Sequence, residues 1–343
     1  MAAATHLAGA VPELPVLWLG MAGFSPAQRA ALEAFITQQA ISARWRIAPF
    51  GDADAWWVNG ARVSLMPGST LKVTAGLPTE HVLRLDLKEV DRPIAFAKPL
   101  AAETLEARCT FDPLSRASIE AALLKFEKWL RALRAQFVLG ALLIDRNSEE
   151  RRGSYHLSCR GSLAAVIDFS EGQVALSPAA SPADLWRARW DKRPYDPAQA
   201  PETFDRFSTT QVAWAYVRRT ERNMLPSRYR TENIYYRRVP RVPLRWLADS
   251  QLMLLRELSA EPGTLHSLGQ RTGLPVSQME HDLACLYYAG SVTTTAESAA
   301  ARLAADTQSN SSQSEANSLL DGAHRQSSDL TAPVFLEHKP PAD

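Results

Sequence analysis

The chain has 343 residues, enough for two or three domains of ordinary size, and its 46% of apolar residues is enough for packed cores. The formal net charge of +1 excludes a general attraction to nucleic acid or to an anionic membrane, so polyanion binding would need a local basic patch. Three widely spaced cysteines, Cys109, Cys159 and Cys285, fit neither a disulfide framework nor a zinc site with paired ligands. With no signal-peptide pattern in residues 1–15 and no apolar run of membrane-spanning length, the sequence predicts a cytoplasmic protein without a membrane partner.

Residues 1–112 are predicted to form an α/β layer. Ser25 and Pro26 suit the cap and the first turn of a helix whose apolar pattern covers residues 28–36. Short apolar segments, interpreted as strands, lie at 16–20, 45–48, 55–60, 82–87 and 93–99. Because short buried strands alternate with helical sequence, we expect a parallel sheet.

Three features of this layer occur together in one known family. A strand and a helix occupy residues 16–36, a third strand ends at Asn59, and Lys98-Pro99 ends an apolar strand ahead of helix-prone sequence. In outline the layer therefore resembles a response-regulator receiver domain. The alternative is an unrelated α/β domain in which Lys98 is an ordinary surface lysine.

The layer departs from that family at the positions where receivers carry out their chemistry. In receivers an acidic pair after the first strand binds magnesium, and an aspartate after the third strand accepts phosphate. Here Gly20, Met21 and Ala22 follow the first strand, and Asn59 occupies the acceptor position. An amide cannot form an acyl phosphate, and a hard divalent cation needs clustered carboxylates. The resemblance thus implies a degenerate receiver, with no metal and no cofactor.

Residues 113–248 are predicted to form a central α+β region. It begins with one long helix, whose apolar stripe from Ile119 to Phe137 either packs within its own domain or forms a dimer seam. The further predicted elements, in chain order, are strands at 163–169 and 173–176 that form a hairpin, an irregular proline-rich segment at 177–204, and a helix at about 208–222.

Residues 249–295 are predicted to form a small winged-helix-like unit. Its predicted elements are helices at 249–258, 264–272 and 277–288 and a short strand at 291–294. Thr264 and Ser277 suit the caps of the second and third helices, and Gly273 ends the second. Such an order is typical of a helix-turn-helix unit with a wing. Residues 296–343 are rich in Ser, Ala, Asp and Gln, which predicts a disordered tail.

An arginine-rich segment, residues 218–245, is the strongest functional signal in the sequence. It holds nine arginines against two glutamates, a local charge of about +7 (nine minus two), with tyrosines between them and Trp246 directly after. Guanidinium groups bind phosphate through two hydrogen bonds and stack on bases, so the segment is a candidate phosphate or nucleotide site. Its candidate ligands are Arg218, Arg219, Arg222, Arg228, Arg230, Arg237 and Arg238. The alternative is that these arginines pair with acidic surfaces of neighbouring domains.

The third helix of the winged-helix-like unit, which would enter a DNA groove, contains Glu280 and Asp282 and no Arg or Lys. DNA affinity depends largely on neutralised phosphates, so this composition favours a protein-interaction unit over a DNA reader. If DNA is bound, the candidate contacts are Arg271, Gln278 and His281.

The sequence contains none of the common catalytic signatures: no Gly-rich phosphate loop, no Gly-x-Ser-x-Gly and no His-Glu-x-x-His. We therefore expect a bacterial signalling protein that is not an enzyme and that acts through a protein partner, with the arginine-rich segment as candidate ligand site. Two alternatives stay open. One is a DNA-binding transcriptional regulator, and the other is a cyclic-dinucleotide receptor that controls motility or surface behaviour.

Overall fold

The computed structural model describes residues 12–37, 43–74, 83–101, 105, 108–145, 152–193 and 200–297. The predicted disordered tail lies outside these residues from position 298 onward. Among the described helices, none combines the length and the apolar composition that crossing a membrane requires.

Eight strands belong to the N-terminal layer. In chain order they are β1 (Val16–Ala22), β2 (Arg44–Ile47), β3 (Ala55–Asn59), β4 (Val63–Met66), β5 (Thr70–Val73), β6 (Leu83–Asp86), β7 (Ile94–Ala97) and β8 (Thr110–Phe111). Five of them form one sheet in the order β2-β1-β3-β7-β8, and every neighbouring pair is parallel. The predicted parallel sheet is thus confirmed, with the order 2-1-3-4-5 of doubly wound folds.

One face of the parallel sheet is covered by two helices, α1 (Pro26–Thr37) and α2 (Arg116–Trp129). The predicted start of α1 is confirmed, because the Ser25 Oγ accepts from the Gln28 N–H at 3.3 Å and the Gln28 side chain accepts from the Ser25 N–H at 3.0 Å. Beneath the helices, the rings of Trp57 and Phe111 lie 4.7 Å apart in the buried core.

The opposite face is covered by a small antiparallel sheet, β4-β5-β6, instead of a crossover helix. The prediction that residues 82–87 join the parallel sheet is therefore wrong, because β6 pairs with β5. The alternation along β6 explains this position, since Leu85 is buried while Arg84 is exposed. One-sided burial is typical of an antiparallel sheet with a solvated face, whereas strands of a covered parallel sheet are apolar on both sides.

The predicted single long helix is two helices, α2 and α3 (Arg131–Ile144), which are separated at Leu130. Most of their apolar residues enter different cores: Phe126 packs under the parallel sheet and Phe137 packs in the central region, while Leu133 in the first turn of α3 still contacts the N-terminal core. A straight helix cannot serve two cores that lie in different directions, so the continuous stripe of the sequence divides at Leu130.

The central region is a five-stranded antiparallel sheet with helices on one face. Its elements in chain order are β9 (Ser154–Cys159), β10 (Ser162–Asp168), β11 (Gln173–Leu176), α4 (Pro182–Trp186), β12 (Arg189–Arg193), β13 (Asp205–Ser208) and α5 (Thr209–Arg219). The strand order is β12-β9-β10-β11-β13. The predicted hairpin is confirmed as β10 and β11, joined through Gly172 at φ +64°.

The prediction of an irregular segment over 177–204 is wrong for its described part, which contains α4 and β12. Pro182 stands in the first turn of α4, where its missing N–H costs nothing, and Ser181 caps that helix. Proline therefore marks the start of a helix in this segment as well as interruptions of regular structure.

Helices α3 and α5 pack in close contact at Gly140. A Cβ at Gly140 would lie 2.4 Å from the Val212 carbonyl oxygen and 2.6 Å from the Tyr216 Cβ. The absence of a side chain lets the two helix backbones touch, and this fixes α5 against the central sheet.

The C-terminal unit consists of α6 (Arg228–Thr231), β14 (Tyr235–Tyr236), α7 (Asp249–Ala260), α8 (Leu265–Thr272), α9 (Val276–Tyr288) and β15 (Val292–Thr293). Three helices thus occupy the predicted positions. Thr264 caps α8 and Gly273 ends it at φ +69°, as predicted, whereas α9 begins at Val276, ahead of the expected cap Ser277. The strand β15 pairs with β14, so the C-terminal unit includes residues before position 249.

Candidate functional site

A buried ion pair joins the N-terminal layer to α5. Arg219, 6% exposed at the last turn of α5, donates two hydrogen bonds to the Asp54 carboxylate at 2.7 and 2.8 Å. Asp54 stands just before β3, and its Oδ2 also accepts from the backbone N–H of Trp18 at 2.9 Å. Two charges removed from water need such a geometry, with both carboxylate oxygens hydrogen-bonded, to offset their desolvation.

The Trp18 ring lies against both arginines that end α5. The guanidinium carbons of Arg218 and Arg219 lie 5.2 and 4.7 Å from the ring centroid. Trp18 is on β1, where its neighbours Leu17 and Leu19 point to the opposite face under α1 and α2. The face of an indole ring attracts cations, so the Trp18 side chain of β1 binds the end of α5.

Arg218 extends this contact to the segment that precedes α7. Its Nη1 donates to the Trp246 carbonyl oxygen at 3.0 Å, and its guanidinium carbon lies 5.3 Å from the Trp214 ring. The Trp214 and Trp246 rings are stacked, with centroids 5.8 Å apart. We name the group Trp18, Asp54, Trp214, Arg218, Arg219 and Trp246 the Arg–Trp joint. It connects the N-terminal layer, α5 and the C-terminal unit.

The Arg218 guanidinium is half-buried beside the like-charged Arg219. Burial lowers its pKa, and the adjacent positive charge of Arg219 lowers it further. Because an arginine titrates far above neutral pH, Arg218 stays charged and needs the carbonyl and aromatic partners that the joint supplies.

A second set of contacts surrounds the end of α5. The Tyr216 hydroxyl donates to the Glu13 carboxylate at 2.8 Å, and the Thr220 hydroxyl donates to the same carboxylate. Burial raises the pKa of Tyr216 to about 12, so the hydroxyl remains a donor. Glu221 pairs with Arg44 and Arg46 of the edge strand β2. All of these contacts lie at the N-terminal ends of β1, β2 and β3.

The remaining candidate arginines contact other parts of the chain. Arg222 pairs with Asp145 at 3.4 Å, and Arg230 pairs with Glu280 of α9 at 2.7 Å. The Arg228 guanidinium lies over the Tyr229 ring at 5.7 Å. The backbone N–H of Arg237 donates to Ser291, and the Arg238 Nε donates to Gly290. The structure thus brings Arg218 and Arg219 together on one ring and directs the other five elsewhere.

The candidate DNA contacts are also separated. In α9 the exposed residues form the first turn, Val276, Ser277 and Gln278, while Asp282 and the next four residues are buried. His281 faces inward, 3.9 Å from the Cys285 Sγ, and burial lowers its pKa. Arg271 donates to the backbone carbonyl of Glu261 at 3.2 Å. Of the three candidates, Gln278 alone lies on an exposed helix surface.

The residues predicted to form a degenerate receiver site lie at the C-terminal ends of the parallel strands. The Asn59 Nδ2 donates to the Gly23 carbonyl oxygen at 3.0 Å, and its Oδ1 accepts from the Ala61 N–H at 3.1 Å. A Cβ at Gly60 would lie 2.6 Å from the Ala97 carbonyl oxygen. The carboxamide therefore supports two loops, and Lys98 beside it is exposed.

Within the part of the chain that the structure describes, no three His, Cys, Asp or Glu side chains lie close enough together to hold a metal ion. The three cysteines are free thiols, and burial raises the pKa of Cys285. The described thiol at Cys285 is therefore held in its neutral, unreactive form.

The sequence did not predict Asp54 and Trp18 as partners of the arginines in the Arg–Trp joint. Asp54 lies 165 positions before Arg219 in the chain, and Trp18 lies further away still. An aspartate before a strand and a tryptophan inside one carry no signal of a distant partner. The one available signal was a charged residue directly ahead of a strand that begins with four apolar residues.

Comparison with protein-family models, with curated proteins and with solved structures finds no match.

Proposed function

We propose that the chain is a non-catalytic signalling or regulatory protein that acts through protein contacts. The observation that carries the proposal is the role of Asn59, whose carboxamide donates one hydrogen bond and accepts another, and so holds the loops after β1 and β3. In open parallel sheets the ligand site lies at the carboxyl ends of the strands. Here those ends carry an engaged amide and small or apolar residues where phosphate chemistry needs carboxylates.

A receiver-like origin of the layer is supported by its strand order, 2-1-3-4-5, and by the position of Lys98 after β7. The antiparallel sheet β4-β5-β6 departs from this outline, because it stands where a crossover helix would be. We therefore propose a degenerate receiver-like layer that serves as a rigid scaffold for contacts.

The C-terminal unit is proposed to be a winged-helix-like protein-interaction module. The first turn of α9 is exposed and carries Val276, 59% exposed, while the acidic Glu280 is paired with Arg230. An apolar side chain at such a position suits a protein surface better than a phosphate backbone. Of the arginines that would have to serve DNA or a cyclic dinucleotide, Arg219, Arg222 and Arg230 pair with carboxylates of the protein itself.

A phosphotransfer assay tests the proposal that the carboxyl ends of the parallel strands do not accept a phosphoryl group. The full chain is incubated with magnesium and acetyl phosphate, and an acyl phosphate is detected by its lability to hydroxylamine; in a separate sample, tryptophan fluorescence reports the binding of beryllium fluoride. We expect no labelling and no spectral change, in the wild type and in Asn59→Asp alike, because a carboxylate alone does not restore the magnesium-binding acidic pair. A hydroxylamine-labile phosphoryl group on the wild type would sink the proposal.

Binding tests separate the remaining functions. We expect no saturable binding of a labelled mixed-sequence DNA duplex at low salt, and no calorimetric heat with a cyclic dinucleotide. In affinity capture with the full chain, Val276→Asp is expected to lose a partner that the matched variant Leu65→Asp, at a residue 48% exposed on β4, retains. Salt-sensitive DNA binding that Val276→Asp leaves intact would favour a transcriptional regulator instead.

A further inference from the structure

The outward face of α2 leaves large apolar side chains in solvent. Leu124 and Trp129 are each 47% exposed, and Leu114, just before the helix, is 94% exposed. Ala117, Ala121 and Leu124 are exposed on one side of the helix, at successive spacings of four and three. Trp129, five positions after Leu124, lies about 140° round the helix from it. We name these exposed side chains the apolar strip.

Two cations lie between Leu124 and Trp129 on the helix surface, and the acids near them are engaged. Lys125 and Lys128 are exposed, and the Lys125 ammonium lies 5.0 Å from the Trp129 ring centroid. Glu120 pairs with Arg116 at 3.0 Å, and Glu127 is buried, where it accepts from the Trp45 indole. The exposed face of α2 is therefore apolar and cationic, and it fits a partner that is apolar and acidic.

The chain itself contains a segment with that chemistry. Residues 329–337 read Asp-Leu-Thr-Ala-Pro-Val-Phe-Leu-Glu, an apolar run between two acids, and Phe335 is the one aromatic residue of positions 298–343. The intervening residues 298–328 span about 30 Å as a flexible chain and about 100 Å when extended. A folded chain of about 300 residues has a radius of gyration of about 19 Å, so the segment reaches any of its surfaces.

We propose that residues 329–337 dock on the α2 face of their own chain, with Phe335 and its apolar neighbours on Leu124 and Trp129 and the nearer acid, Glu337, beside Lys125 and Lys128. Short apolar motifs in tails of disorder-type composition bind in this way, ordering a few residues on contact. The docked segment covers a surface that an external partner would otherwise use. The inference does not depend on the proposed function.

A peptide of residues 325–343 with a fluorescent label tests the contact by polarisation. The host is the full chain with Phe335→Ala, which releases its own tail and leaves the α2 face accessible. We expect saturable binding to this host. Binding to the wild-type chain should be about tenfold weaker, because the tethered tail competes at an effective concentration well above its own Kd.

Substitutions within the Phe335→Ala host locate the contact. Leu124→Glu should weaken binding by about tenfold or more, because it places a like charge against the acidic peptide inside the apolar strip. Leu65→Glu, on β4 at 48% exposure, is the matched control and should leave binding unchanged. Lys128→Glu should weaken binding less and flatten its salt dependence. Circular-dichroism melts of each variant verify that it is folded.

Three results would overturn the inference. The first is no saturable binding to the Phe335→Ala host. The second is equal peptide affinity in that host and in the wild type, which shows that the tail does not occupy the face. The third is an equal effect of Leu124→Glu and Leu65→Glu on the affinity, since the contact then lies elsewhere.

Discussion

The two ends of the parallel sheet differ in how their polar groups are used. At the N-terminal ends, Asp54 binds Arg219 in a buried ion pair, and the Trp18 ring lies under two guanidinium groups. At the C-terminal ends, Asn59 contacts backbone groups of its own layer, and Gly60 packs closely against the loop after β7.

This difference shows where the molecule concentrates its charge interactions. A doubly wound sheet that binds a ligand places polar groups at the carboxyl ends of its strands. Here the strongest polar interactions lie at the opposite ends, where they join the layer to α5 and the C-terminal unit. The comparison is consistent with the proposal that the layer is a scaffold for contacts.

Breaking the ion pair at the N-terminal end is expected to have the largest effect. Arg219→Met leaves the Asp54 carboxylate buried without its partner, so the free energy of unfolding should fall by about 3 to 5 kcal/mol. Urea denaturation followed by circular dichroism measures the change.

The matched control for this variant is Arg222→Ala. The Arg222 side chain is 54% exposed in its pair with Asp145, against 7% for Arg219, so its loss should cost about 1 kcal/mol or less. Equal losses for the two variants would mean that the joint is not the stabilising contact.

At the C-terminal end, Gly60→Ala should have the next largest effect. Its Cβ would lie 2.5 Å from the Leu100 Cδ2 and 2.6 Å from the Ala97 carbonyl oxygen, so the loops must separate. We expect a loss of about 1 to 3 kcal/mol in the free energy of unfolding. Gly51→Ala meets no atom within 4 Å and should stay within about 0.5 kcal/mol of the wild type; a similar loss there would contradict the packing account.

Asp282 is a second buried aspartate that can be compared with Asp54. An amide donates to Asp282, whereas an arginine pairs with Asp54. Gln251 of α7 donates to its Oδ1 at 3.0 Å, and Ser250, Arg218 of α5 and the adjacent His281 also face it. Burial raises the pKa of Asp282 above the ordinary value of 3.8. The folded state therefore holds this proton more tightly than the unfolded state, and stability falls as the pH rises through the folded pKa.

Asp282→Asn keeps the Oδ1 acceptor and removes the buried charge. We expect a gain of about 1 kcal/mol near pH 7 that shrinks as the pH falls toward 4, measured by thermal melts across this range. A gain that does not change with pH would show that the substitution acts through packing and not through ionisation.

Local signals predicted several elements correctly. The start of α1 at Ser25 and Pro26, the hairpin at Gly172, and the cap and end of α8 at Thr264 and Gly273 were all readable. Each of these depends on one side chain bonding its own backbone or on a glycine at positive φ. Such interactions are complete within a few residues, so the sequence contains everything that decides them.

The errors arose where packing partners decide the structure. The apolar stripe from Ile119 to Phe137 divides at Leu130 because its halves enter different cores. Residues 83–86 join an antiparallel sheet because β5 is available to pair with them. Periodicity predicts which side of a segment is buried, but it does not predict which other element that side packs against.

By itself the sequence determined the parallel layer, the three C-terminal helices and the high positive charge of residues 218–245. Only the tertiary structure decided what that charge does, because an arginine's role depends on the group within hydrogen-bond distance of it. For Arg219 that group is Asp54, 165 positions away, and for Arg230 it is Glu280. Coulombic and hydrogen-bond energies fall steeply with distance in space, and sequence separation contains no such distance.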